Sequence, residues 1–211
     1  MEDTPVTIAA VSDVGPDAIA LEFETPDGFE ARPGQFVKLT LSVDGEDESR
    51  FYTLSSPDVD GSFEITVAID PEGEVGPHLL DLEAGDDVRL SGPFGNAYYE
   101  DEDRVVVIAG GPGVGPAIGI AERALADGNE AAVVYRDAAP LHEDRLDAIE
   151  ANGAFVRVLD ADADLTPAVT DALEDGEQVF VYGFADFLSD ATDAIAAAGG
   201  EPDAAKVENF G

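Results

Sequence analysis

Residues 50–56 read Arg50-Phe51-Tyr52-Thr53-Leu54-Ser55-Ser56, and Pro57-Asp58 follows at once. Apolar and aromatic residues dominate the run and the Pro-Asp pair stops it, which predicts a strand. On a strand, Arg50 and Tyr52 project from one side while Phe51 and Thr53 project from the other. A guanidinium grips phosphate through two parallel hydrogen bonds, and an aromatic ring two residues away offers a stacking face. The pair suits a ligand that carries both a phosphate and a flat ring.

Short strands surround this one. Residues 6–14 and 18–25 are strand-like runs parted by the turn Gly15-Pro16-Asp17, and Phe36–Leu41 is a third, entered through Arg32-Pro33-Gly34-Gln35. Asp44–Ser49 reads as an acidic turn, and Phe63–Ile69 and Asp87–Ser91 as further strands, closed by Gly92-Pro93-Phe94-Gly95. Turn signals every ten residues or so argue for a small antiparallel barrel. After Asp70-Pro71-Glu72-Gly73, residues 76–82 read as one short helix with Pro77 in its first turn, where a missing N–H costs nothing. Its amides would face an anion. His78 lies here, with no second ligand nearby to make a metal site.

The period changes beyond Tyr99-Glu100-Asp101-Glu102-Asp103, a hydrophilic hinge that divides the chain into domains 1–99 and 100–211. Val105–Ala109 is a continuous apolar run, as expected of a parallel strand covered on both faces. Helix (116–126, stopped by Gly128), strand (131–135), helix (141–151), strand (155–159) and helix (166–173) follow. A strand at 179–182, a helix at 186–198 and a last strand at 205–208 complete the set. Thr166 is expected as the N-cap of its helix, with Pro167 at the first helical position. The alternation predicts a doubly wound parallel sheet, whose ligand crevice lies at the strands' carboxyl ends. The expected fold class is thus β plus α/β.

The 211 residues are 45% hydrophobic, which excludes a disordered chain, yet 47 Asp and Glu stand against 10 Lys and Arg for a net charge of −37. Carboxylates spread over nearly every loop fit a salt-loaded cytoplasm, where self-repulsion is screened over about 3 Å at 1 M salt. An acidic face that steers a basic partner is the competing explanation. Nucleic acid and anionic membrane are poor partners, since backbone phosphates demand Lys and Arg. Cysteine is absent, which removes disulfides, thiolate nucleophiles and any Cys-ligated iron–sulfur cluster or zinc site. No 18-residue apolar run and no basic, apolar leader occurs, so neither a membrane span nor a secretory signal is expected and the expected location is cytoplasmic.

The first strand-to-helix turn of the predicted sheet is Gly110-Gly111-Pro112-Gly113-Val114-Gly115-Pro116. Glycines let a chain turn tightly and approach a pyrophosphate, with the next helix's amides facing the anion. The spacing is not Gly-x-Gly-x-x-Gly, and no Lys-Ser/Thr follows to make a P-loop. Taken in order with residues 50–56 and 92–95, the turn resembles the ferredoxin–NADP reductase family's nicotinamide motif, with Pro112 where Thr is usual. The resemblance extends from about residue 4 to 211.

That resemblance implies a barrel holding FAD (FMN being the alternative) and a sheet holding NAD(P)H. It implies that Tyr52 stacks on the isoalloxazine, Thr53 reaches toward its N5, Arg50 neutralises flavin phosphate and Ser55 adds a hydrogen bond. The implied cofactor contacts extend to Phe51, Val67, Ile69 and the Val75-Gly76-Pro77 turn. This turn lacks the family's usual hydroxyl, so its amides would serve alone. On the dinucleotide side they are Gly111, Gly113, Val114, Gly115, Tyr182, Gly183 and Phe184, with Tyr182 where the family has Cys. The terminal Glu208-Asn209-Phe210-Gly211 matches the family's acid-x-aromatic ending, which puts Phe210 against the flavin and Glu208 near the reacting ring. Arg136 and Arg145 are candidates to grip a 2′-phosphate, while Asp137 is a candidate acceptor for ribose hydroxyls, so NADH and NADPH both stay open. The implied partner is a separate acceptor such as ferredoxin or an oxygenase component. A free-flavin reductase and a non-catalytic redox subunit are the alternatives.

Overall fold

The computed structural model describes residues 1–43, 45–70, 72, 73 and 75–211. Six strands form the first sheet: β1 (Thr4–Gly15), β2 (Ala18–Glu24), β3 (Phe36–Val43), β4 (Glu46–Thr53), β5 (Ser62–Ala68) and β6 (Asp87–Phe94). Their order is β4-β3-β6-β1-β2-β5, and a bridge from Leu54 to Ile65 brings the two edge strands together into a barrel. Alternation sets its inside. Val37, Leu39, Ile65, Val67, Leu90 and the stacked pair Phe23 and Phe63 fill a core that water does not reach. The short helix α1 (Gly76–Leu80) seals one end with Leu79.

The second sheet is wholly parallel and runs β11-β10-β7-β8-β9, from β7 (Arg104–Gly110), β8 (Glu130–Arg136), β9 (Phe155–Leu159), β10 (Gln178–Gly183) and β11 (Lys206–Asn209). Helices α2 (Val114–Asp127), α3 (Glu143–Ala151), α4 (Thr166–Ala172) and α5 (Ala185–Ala197) connect the strands. Two separate apolar clusters, one on each face, bury Val105–Ala109 completely, as the unbroken apolar run requires. Strand order reverses between β7 and β10, so the switch point lies where Gly110 and Gly183 end those strands.

Local expectations change in four places. Glu46–Ser49 is not a turn but the start of β4, paired with Thr40–Val43 of the neighbouring strand; Asp44 and Pro71, in the predicted turns, lie outside the described residues. Leu165, not Thr166, is the N-cap of α4, and the Asp164 carboxylate accepts the Thr166 N–H at 2.9 Å. Helix α2 begins at Val114, continuous with a 3-10 turn over Gly111–Gly113, and stops at Gly128 in the left-handed region (φ 86°). The hydrophilic stretch 99–103 is strapped down. Tyr99 is buried, and the Lys206 ammonium donates to Glu100 at 2.9 Å, Glu102 at 2.7 Å and the Tyr98 carbonyl at 2.8 Å.

Candidate functional site

A cleft of about 1010 Å³ opens between the two sheets. Its barrel wall is built from two adjacent strands whose partners face one another, Phe36 opposite Thr53 and Lys38 opposite Phe51. Arg50, Phe51, Tyr52 and Thr53 all border it, and so do Phe94 at the end of β6 and Thr66 and Ala68 of β5. Phe36, Phe51 and Phe94 pack on each other at 5.7–6.4 Å between ring centres, leaving Phe51 and Phe94 exposed to the cleft. Burial pushes the Tyr52 phenol up to about 12, against the pull of Arg50, so the ring presents a neutral face. The other wall comes from the switch-point end of the parallel sheet: Pro112, Pro116, Phe184, Glu208, Asn209, Phe210 and Gly211.

The walls touch at one charged point. The Thr53 hydroxyl donates to Glu208 Oε1 at 2.6 Å, and burial pushes the Glu208 carboxyl up to about 7, with the Thr53 bond opposing. Phe210 lies 6.5 Å from the Tyr182 ring and edge-on to Phe184 at 6.0 Å, pinned by its own N–H to the Gly183 carbonyl at 3.1 Å.

The predicted residues thus separate into two sets. Arg50, Phe51, Tyr52, Thr53, Phe184, Glu208 and Phe210 share the cleft. The rest stand elsewhere, each for an identifiable reason. Val67 and Ile69 point into the barrel core, one residue out of phase with Thr66 and Ala68, which face the cleft. Val75 joins the same core and Gly76 is buried against the Asp70 backbone; neither they nor Pro77 border the cleft. Ser55 is fully buried behind the wall, its hydroxyl 2.7 Å from that of Thr66.

In the glycine turn it is the prolines, Pro112 and Pro116, that meet the cleft; Gly111 does not border it, and Val114 is core. Gly113 lies against the Tyr182 backbone, and Gly115 lets α2 press on the barrel, because a Cβ there would come within 2.6 Å of Ser55 Oγ. Tyr182 is fully buried with its hydroxyl donated to the Ala97 carbonyl, and Gly183 backs onto the Phe187 ring. Arg136 is spent on Asp190 at 2.7 Å. Arg145 clamps the parallel-sheet half to the barrel, bound to Glu122 at 2.7 Å, Glu64 at 2.8 Å and the Ser55 carbonyl at 2.9 Å. A 2′-phosphate role for Arg145 is not what this geometry offers.

Lys38 is the functional candidate that sequence reasoning missed. Among the described residues its ammonium has no carboxylate partner, in a chain with 47 acids, and it borders the cleft beside Arg50. Its i, i+2 spacing from Phe36 was the available signal.

A cleft walled by phenyl and phenol rings, with two cations at one side and a hydroxyl–carboxyl pair at the other, has the donor set that a flavin dinucleotide needs. The antiparallel barrel and the doubly wound sheet share this cleft between them, an arrangement of the flavoprotein-reductase kind of fold. Residues 5–99 match the family described as the oxidoreductase FAD-binding domain. The barrel is thus similar in sequence to that family, and the whole chain shares its fold with proteins of known structure.

The likeness is full-length in structure and partial in sequence. The FAD/NAD-binding domain of nitric oxide dioxygenase from Vibrio cholerae superposes with a TM-score of 0.87 at 18% identity, covering all of both chains. A ferredoxin NADP+ reductase from Neisseria gonorrhoeae, solved with FAD and NADP bound, superposes at 0.84 and 17%, again over all of both. The glycine betaine monooxygenase reductase subunit of Pseudomonas aeruginosa is 43% identical over 94 residues, 43% of this chain and 26% of that protein. The chain spans about a quarter of the length of the reductase subunits it matches in this way. No helix among the described residues is long and apolar enough to cross a membrane.

Proposed function

We propose that this chain is an NAD(P)H-dependent flavoprotein oxidoreductase of two domains, dividing near Glu100, that passes electrons to an acceptor on a separate polypeptide. The observation that carries this is the shared cleft, in which Arg50, Tyr52 and Thr53 from the barrel face Phe184, Glu208 and Phe210 from the switch-point end of the sheet. Bound FAD would accept a hydride from the nicotinamide and release electrons to the acceptor. The chain's own residues do the rest. Arg50 and Lys38 offset phosphate charge, and Tyr52 gives a neutral ring to stack on. Thr53 holds Glu208 by Oε1, and a carboxyl half-protonated near neutral pH can store and return one proton at the cleft. Phe210, at the cleft wall against Tyr182 and Phe184, would have to yield to a nicotinamide ring brought to the flavin.

The relatives that are oxygenase reductase subunits support an oxygenase component as the acceptor, with ferredoxin as the other class. Among the described residues no group of three or more His, Cys, Asp or Glu is placed to hold a metal ion. The acidic surface supports a salt-rich cytoplasm as the working environment.

One observation favours a second reading. Val75, Gly76 and Pro77 stand off the cleft, which leaves fewer amides for the flavin phosphates and fits a free-flavin reductase that releases its flavin. An absorption spectrum of protein purified in molar salt, before and after gel filtration, separates the two. Flavin bands that persist, and that bleach anaerobically with NADH or NADPH, support the resident-flavin enzyme. A folded protein that stays colourless with added FAD and oxidises neither nucleotide rules out both.

A further inference from the structure

We infer that the dinucleotide taken by this cleft is the one without a 2′-phosphate, NADH, and that Asp137 makes the choice. This rests on the nicotinamide-dependent function proposed above. At the switch point of a doubly wound sheet, the residue after the second strand meets the adenosine ribose, as a carboxylate for its hydroxyls or a cation for a 2′-phosphate. Gly110 of the glycine turn pairs with Arg136, the last residue of β8, so residues 136 and 137 occupy that place.

The cation is not on offer. Arg136 Nη2 is 2.7 Å from Asp190 and its Nη1 donates to the Ala163 carbonyl at 3.2 Å, while the guanidinium lies over the Phe187 ring at 5.1 Å. Only 14% of this side chain is exposed. Arg157, on the neighbouring strand, pairs with Val134 two residues short of the strand end, donates to the Val156 carbonyl and lies over Phe155.

The carboxylate is. Asp137 is half-buried and fixed: Oδ1 accepts the Ala139 N–H at 2.8 Å and Oδ2 accepts the Tyr135 hydroxyl at 3.3 Å. Oδ2 stands 3.7 Å from where a Cβ on Gly111 would be, directly beside the glycine turn. A carboxylate so held accepts hydrogen bonds from the two ribose hydroxyls. A phosphate dianion brought to the same place meets like charge and finds no compensating guanidinium.

The test uses the purified protein in molar KCl, and its deciding readout, ligand binding, needs no electron transfer. Calorimetry compares ADP-ribose with its 2′-phosphorylated form, and KM values for NADH and NADPH are read in parallel with ferricyanide. The expected result is tighter binding of ADP-ribose by about 100-fold, the size expected when a hydrogen bond to a charged group is lost. Asp137→Asn, which keeps the side chain's shape and its Ala139 contact, should narrow the ratio to about 10-fold or less. Asp190→Ala, which frees Arg136, should tighten the 2′-phosphorylated ligand. Equal binding of the two ligands, or preference for the phosphorylated one, overturns this inference alone. Failure of both ligands to bind overturns it together with the nicotinamide reading. Should either variant fail to fold by circular dichroism, the unmodified protein's ratio decides.

Discussion

Thr53 and Glu208 are hydrogen-bonded at 2.6 Å although 155 residues of chain separate them. The bond joins the end of a barrel strand to the last strand of the parallel sheet, so neither half of the molecule completes the cleft by itself. It also holds a carboxyl out of water, and this makes the protein's stability a function of pH.

Glu208 ionises at about 7 in the folded chain against 4.5 unfolded. Between those values the native state keeps a proton that the unfolded state has released, so stability falls as pH rises through the window. The contribution is fully present below 4.5. Glu208→Gln keeps the shape and removes the titration. The variant's Tm should match that of the unmodified protein at pH 4.5 and exceed it at pH 8, by on the order of 2 kcal/mol or 5 °C. Parallel Tm curves across that range would show that Glu208 is ordinarily ionised.

His142 works in the opposite sense over nearly the same range. Its ring is buried, with Nε2 2.8 Å from Thr66 Oγ1, and burial together with the Arg145 charge lowers it to about 4. The unfolded chain binds a proton below about 6.5 that the folded chain refuses, so this contribution is present above 6.5 and lost as pH falls through 4. The carboxylates facing this network are Glu64 and Glu122, both already paired with Arg145. His142→Asn suits the left-handed backbone there (φ 54°) and should flatten the acid limb of a Tm–pH curve. An unchanged acid limb would place the ring in water.

Gly115 carries the docking of α2 against the barrel. Gly→Ala within an exposed helix gains about 1 kcal/mol of helix propensity. Here the new methyl would lie 2.6 Å from Ser55 Oγ and 2.8 Å from Thr66 Oγ1, two hydroxyls locked to each other, and overpacking costs about 1–3 kcal/mol. Gly115→Ala should therefore lower stability by about 1–2 kcal/mol in chemical denaturation and distort the Thr66 side of the cleft. A stabilised variant would mean that the two domains do not press together at this point.

How far the chain could be read from its residues depends on whether the information was local. Val105–Ala109, the glycine turn and the alternating strands are local patterns, and the architecture follows from them. Thr53, Glu208 and Phe210 were legible because residues 50–56 and the chain's end each carry their own pattern. Val67 and Thr66 show the limit: a strand's period is plain, but which face meets the cleft depends on a register set by pairing with Ile19 and Ala20, far back in the chain. Arg145 fails similarly, since its role depends on Glu64 of β5, Glu122 of α2 and Ser55 after β4 arriving from three separate segments. Lys38 was hidden because nothing in its neighbourhood marks it as a cation that reaches the cleft with no carboxylate partner among the described residues.

Salt should control the folding of this protein. A net charge of −37 on 211 residues is self-repelling, and screening shortens from about 10 Å at 0.1 M to about 3 Å at 1 M. Tm should rise by 10 °C or more between those concentrations, a rough figure for relief of repulsion across the whole surface. KCl and NaCl should act alike. A Tm independent of salt would mean that the carboxylates are already compensated within the fold.

Lys38 and Arg50 supply the cleft's positive charge from adjacent strands, with Arg50 also donating to Glu48 and the Ser49 carbonyl. A group that neutralises phosphate by charge alone tolerates exchange for another cation, whereas a bidentate grip does not. Lys38→Arg should therefore retain flavin, and Lys38→Ala should weaken it about 10-fold, with Arg50→Lys as damaging as Arg50→Ala. Flavin fluorescence on titrating stripped protein in molar salt gives each affinity. Because both residues lie on the barrel wall, none of these variants should move the ADP-ribose affinity. If Lys38→Ala binds flavin as well as the unmodified protein, its ammonium serves solubility, and the phosphate charge rests on Arg50 and backbone amides.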